Sequence, residues 1–244
     1  MASRDYLALQ RDRVEEALAR MLPPTDAEPS TLAATMRAAV FDDGERILPL
    51  LALAASEAAA TAEGNPEAAL AAACAAAILN AASALHAEPG DATRIAAGDA
   101  LFAMAISTVC TLPGIAPARA LRIADIFSKG ISSADAKQGE GSLFAAAAEA
   151  GAIAGGAAND DAAALAAFGR ELGMAFQIEN EILAANGDAA ARSASSMETR
   201  SPDKAREMAA FHTREAVANL FDIPGSLPSA ALSDLAENLL KRIS

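Results

Sequence analysis

Apolar residues recur at helical spacing in one stretch of this chain after another, and nowhere do they alternate with the period of two that a half-buried strand requires. The pattern predicts helices over residues 5–22, 32–41, 45–62, 66–85, 98–112, 116–127, 143–154, 161–185, 202–221 and 229–242. Pro23, Pro24 and Pro29 stop the first of these, and Ser30 and Thr31 can cap the second. The remaining breaks are short and carry turn chemistry: Gly64-Asn65-Pro66, Glu88-Pro89-Gly90-Asp91, Pro113-Gly114, Asn186-Gly187-Asp188 and Pro224-Gly225. Short connections make consecutive helices antiparallel neighbours. The expectation is a single all-α domain over residues 1–244, a bundle of about nine or ten helices, with 1–30 as an N-terminal helix and Pro-rich connection. Residues 128–142 and 187–201, rich in Gly, Ser and charge, read as loops.

The helices are alanine helices. Hydrophobic residues make up 53% of the chain but aromatics only 4%, with no Trp. Alanine is the best helix former and a weak hydrophobe, so the composition favours helices that approach one another closely. The uncharged run 68–87 has the length of a bilayer span, but it is mostly alanine and carries Asn80, Ser83 and His86, so it reads as a buried core helix.

A formal net charge of -13 argues against binding nucleic acid or an anionic membrane surface, since both need concentrated Lys and Arg. Cys74 and Cys110 have no CxxC spacing and read as reduced, buried thiols. The N-terminus mixes charges through Arg4, Asp5, Arg11, Asp12, Arg13, Glu15 and Glu16, which does not fit a signal peptide and leads to a cytoplasmic expectation with no membrane span. Of the two histidines, His86 reads as a core or helix-end residue and His212 as an exposed one.

Three stretches carry a resemblance. Gly44-Glu45-Arg46-Ile47-Leu48-Pro49 is the first. The second is Ile78-Leu79-Asn80-Ala81-Ala82-Ser83-Ala84-Leu85-His86, followed by Ala97-Gly98-Asp99-Ala100-Leu101. The third runs from Gly151 to Gly187 and contains Phe168-Gly169, Leu172-Gly173, Ala175-Phe176-Gln177-Ile178 and Ile182-Leu183. In that order they resemble the GKRLRP, LIHxxSLIHDD, AGDALL and FGxxLGxAFQIxDDILD elements of the polyprenyl synthetase family, the head-to-tail isoprenyl diphosphate synthases. The resemblance implies an isoprenoid synthase-type helical bundle. It also implies a reaction in which an allylic diphosphate ionises and isopentenyl diphosphate attacks the carbocation, with Mg2+ held by two DDxxD motifs. Aspartates at i and i+4 share one helix face, so each motif would offer converging hard oxygen ligands.

Those ligands are missing here. After His86 stands Ala87-Glu88-Pro89-Gly90-Asp91, in which only Glu88 matches an acidic position, and the family's following loop is shortened away. The second motif aligns with Asn180-Glu181-Ile182-Leu183-Ala184, leaving Asn180 and Glu181 as degenerate metal positions and neighbouring Glu179 as a solvated or salt-bridged charge. In the GKRLRP element the lysine and second arginine become Glu45 and Leu48, so Arg46 is the remaining cation. A carboxylate in place of a cation costs on the order of 1 kcal/mol in diphosphate affinity. Arg46, Asn80, Lys137 and Gln177 are the family-matched substrate-binding remnants, and neither catalytic residues nor a cofactor are expected.

The sequence-based expectation is therefore a non-catalytic family member, a pseudoenzyme in isoprenoid biosynthesis. It would form a homodimer, or a heterodimer with an active prenyl synthase that it regulates. Two alternatives stand beside it. One is a protein that binds an isoprenoid or another hydrophobic ligand, against which Phe102, Met104, Met174 and Phe176 would fill the interior. The other is a divergent prenyltransferase using acids such as Glu88, Asp91, Glu181 and Asp188.

Overall fold

Asn65 starts the longest apolar helix: its side-chain oxygen accepts from the backbone N–H of Glu67 at 2.9 Å and of Ala68 at 3.1 Å, and Pro66 occupies the first helical position. Similar local chemistry sets the other elements in this computed structural model, which describes residues 2–42, 46–87, 91–132, 141–187, 202–223 and 226–241. Among the described residues there are ten helices and no strand. In chain order they are α1 Ser3–Met21, α2 Ser30–Phe41, α3 Ile47–Ala58, α4 Pro66–Ala87 and α5 Ala92–Cys110. They continue with α6 Pro117–Ser132, α7 Ser142–Ala154, α8 Asn159–Gly187, α9 Pro202–Ala218 and α10 Leu227–Lys241.

Each predicted helix has a counterpart, but several ends are displaced; α6 runs on to Ser132, so residues 128–132, expected as loop, are helical, and α9 stops at Ala218 rather than 221. α5 begins at Ala92, not near Gly98, because Asp91 caps it by accepting from the Arg94 N–H at 3.0 Å. α3 stops at Ala58 because the chain then turns onto the end of α7, where Thr61 N–H donates to the Gly155 carbonyl at 3.0 Å and Asn65 N–H to that of Ala154 at 2.9 Å.

α7 is the central helix, packed against α3, α4, α6 and α8. Alanine makes this crowding possible: Ala147, Ala148, Ala150, Ala152 and Ala154 of α7 are all fully buried, as are Ala52, Ala54 and Ala55 of α3. At Gly151 the two helices touch through backbone, since a Cβ there would lie 2.0 Å from the Ala52 carbonyl oxygen. Larger side chains, among them Leu51, Leu53, Ile78, Leu101, Phe168 and Leu172, fill the space around these seams. Burying each one contributes about 2 kcal/mol of transfer free energy.

α4 and α5 are both long and apolar enough to cross a membrane, but they differ in surroundings. The apolar window of α4 is 72% buried inside the bundle, as a core helix requires, whereas that of α5 is 28% buried. α7 touches both α4 and α8, the helices that carry the two motif-aligned segments.

Candidate functional site

The third motif-bearing segment lies on α8. Residues three and four apart share a helix face, so Gln177, Asn180 and Glu181 form one stripe. Gln177 and Glu181 are half-buried and Asn180 is exposed. Glu179 is 1% exposed, which removes the solvated half of the expectation that it is a solvated or salt-bridged charge; it points away from that stripe, into the bundle, and is engaged there.

On α4, Asn80 is half-buried and engaged in a polar contact. One and a half turns further on, His86 closes the helix end: its Nε2 lies 3.1 Å from Asp99 Oδ1 of α5, and its ring covers Gly98, where a Cβ would come within 2.7 Å of Cε1. His86 is thus the helix-end residue that its position suggested. The cap bond of Asp91 to Arg94 occupies an oxygen of the other acid at this end.

Arg46 is turned inward. It is 2% exposed, donates from Nε to Glu15 Oε1 at 2.6 Å and from Nη2 to Glu15 Oε2 at 3.3 Å, and gives Nη1 to the Val40 carbonyl. Its guanidinium carbon stands 5.6 Å from the Phe41 ring centroid. This cation ties α1 to the end of α2 and the start of α3, and its donors are engaged inside the protein. Its φ of 53° is left-handed, an uncommon conformation outside glycine. Leu48, at the position of the family's second arginine, is buried at 5% exposure. Glu45, Lys137, Glu88 and Asp188 lie outside the described residues.

Two other polar expectations change. His212 is buried at 8% exposure, because α9 packs on α8 and brings its Nδ1 to 2.7 Å from Glu171 Oε2. Cys110 is exposed at the end of α5, while Cys74 is buried and its thiol is pushed up to about 12 by desolvation. Both cysteines are free. Sequence reasoning missed Glu15 and Glu171 altogether, since their partners lie 31 and 41 residues away and nothing local marks the pairing.

The four residues proposed to fill the interior are half-buried and line its edge. Phe176 meets Phe144 with ring centroids 5.3 Å apart. Phe102 borders a hollow of about 70 Å³ with Leu79 and Phe127 between α4, α5 and α6.

The family profile for polyprenyl synthetase matches residues 135–195, which include the Asn180 stripe. Geranylgeranyl pyrophosphate synthase 12, chloroplastic, of Arabidopsis thaliana is 26% identical over 94% of this chain and 79% of its own. The chloroplastic geranylgeranyl pyrophosphate synthase of Capsicum annuum is 28% identical over 85% and 71%. These matches support an assignment to the polyprenyl synthetase family. Its fold agrees from end to end with solved structures: a geranylgeranyl pyrophosphate synthetase of Pyrococcus horikoshii superposes with a TM-score of 0.81 at 20% identity, covering 97% of both chains. An FPP/GFPP synthase of Zymomonas mobilis gives 0.80 at 23% identity, covering 97% and 98%.

Polyprenyl synthetases depend on Mg2+, and the donors described here do not fit that ion. Among the described side chains of the α8 stripe the only carboxylate is Glu181, beside the amides of Gln177 and Asn180. Hard divalent cations take several oxygen ligands, chiefly carboxylates and water. Among the described residues no group of three His, Cys, Asp or Glu side chains converges.

Proposed function

We propose that the protein serves isoprenoid biosynthesis as a family subunit that does not itself ionise allylic diphosphates, and that it acts in the cytoplasm as a dimer with itself or with an active prenyl synthase. The composition of the α8 stripe carries this reading. A departing diphosphate must have its charge neutralised, and that stripe offers two amides and one carboxylate where the family's reaction needs converging acids to hold the cations. The engagement of Arg46 with Glu15 supports it further, because the one cation kept from the GKRLRP element is committed to the fold.

A second reading has its own support. The relatives that align along most of the chain are named as synthases, and those names favour a divergent prenyltransferase over a regulatory subunit. Such an enzyme would draw on Glu181 together with acids of the segments outside the described residues, Glu88 and Asp188.

Incubating the purified protein with Mg2+, isopentenyl diphosphate and allylic diphosphates of several lengths, alone and mixed with an active prenyl synthase, separates the two. The subunit reading expects no product from the protein alone and an altered product length or rate in the mixture. Condensation by the protein alone establishes the divergent enzyme instead.

A further inference from the structure

The opposite end of α4 from His86 borders a second cavity. Ala69 and His86 are seventeen positions apart on one helix, which separates them by about 25 Å. This cavity holds about 290 Å³, between α1, the last turn of α3, the start of α4 and the end of α7. One water occupies about 30 Å³ of liquid, so the space exceeds a structural-water site several-fold. It falls at the small end of the range for ligand pockets.

Its α3–α7 side is fixed. Gly155 packs so tightly on α3 and the following turn that a Cβ would meet the Ser56 carbonyl oxygen at 2.3 Å, and the same turn is stitched to α7 by the Thr61 and Asn65 backbone bonds and by Thr61 Oγ1 donating to the Gly156 carbonyl at 2.8 Å. Backbone contacts of this kind hold the α3–α7 side of the cavity in place, so that side is preformed.

Its chemistry is two-sided. Leu53, Pro66 and Ala69 present aliphatic surface, and Arg13, Ser56 and Glu57 present polar groups. The two charges cancel within the wall. Arg13 Nη1 stands 3.5 Å from Glu57 Oε1, and Gln10 joins them by accepting from Arg13 at 2.7 Å and donating to Glu57 at 2.9 Å. An ionic head group entering here would have to break that network, whereas a hydroxyl can add to it as both donor and acceptor.

We propose that this cavity is a binding site for a small neutral amphiphile with an aliphatic body and a hydroxyl head, separate from the motif-bearing end of the bundle. The inference rests on the cavity alone and is independent of whether the protein turns over diphosphates.

Three probes with one tail and different heads test it by calorimetric titration of the full chain: 1-octanol, octanoate and octylamine. Saturable binding of 1-octanol is expected, with both charged analogues at least tenfold weaker. Tyr6 supplies an optical readout, because it is the only tyrosine in a chain without Trp and lies in the field of Glu57. Ala69→Leu should abolish binding by filling the cavity, and Ala60→Phe should do so from the exposed rim, where it leaves the fold intact. Failure of 1-octanol to saturate below its solubility limit overturns the site. So does equal binding of a charged analogue, or unchanged binding by folded Ala60→Phe.

Discussion

The seam between α3 and α7 and the stripe of α8 that carries Asn180 belong to one bundle and tolerate change very differently. At the seam, Gly151 stands against the Ala52 carbonyl with no room for a methyl group. On the stripe, Asn180 is exposed and an exchange of side chain meets little but water. Packing at the seam is required for folding whatever the protein does. Acids on the stripe are required only for metal-assisted chemistry, so they can be lost without loss of the fold.

Gly151→Leu attacks the seam at its tightest point. It should cost about 3 kcal/mol or more in urea denaturation, because the backbones of α3 and α7 must separate to admit it. A cost below about 1 kcal/mol would mean that the two helices do not touch there. Arg46→Ala comes next, at about 2 kcal/mol: it removes the buried partner of Glu15 and leaves the Val40 carbonyl short of a donor, tempered by the partial exposure of Glu15. Arg46→Lys should recover only part of this, since an ammonium cannot repeat the two-pronged contact.

The helical scaffold was legible in sequence because it rests on local signals. Periodicity and turn residues located all ten helices, and the misplaced start of α5 reflects a cap, Asp91, hidden in a turn that already contained Pro89 and Gly90. The polar side chains were less legible. Arg46 matched a diphosphate-binding motif in sequence, yet its surroundings are made by Glu15 and Val40 from other helices. His212 was misplaced, and Glu179 left open between water and a buried contact, for the same reason: whether one polar residue of a helix faces water depends on which helix packs beside it, and spacing along the chain does not encode that.

Cys74 gives a pH test of the buried side of the comparison. Its folded-state thiol is raised from 9.0 to about 12, so its contribution to stability is fully present below pH 9 and is lost as pH rises from there towards 12. The unfolding free energy should fall by about 1 kcal/mol per pH unit across that window, and Cys74→Ala should flatten the slope. An unchanged slope would place the thiol in contact with water. The smallest effect belongs to the α8 stripe, where Asn180→Asp should shift stability by less than about 0.5 kcal/mol, as expected of an exposed site. A larger loss would give Asn180 a part in the fold.

The proposed subunit keeps the bundle without the family's metal-dependent grip on diphosphate. Calorimetric titration of the protein with geranyl diphosphate, with and without Mg2+, tests this directly. The same weak or absent binding is expected in both titrations, because Asn180 and Glu181 together offer the ion a single carboxylate. Binding tightened tenfold or more by Mg2+ would contradict it.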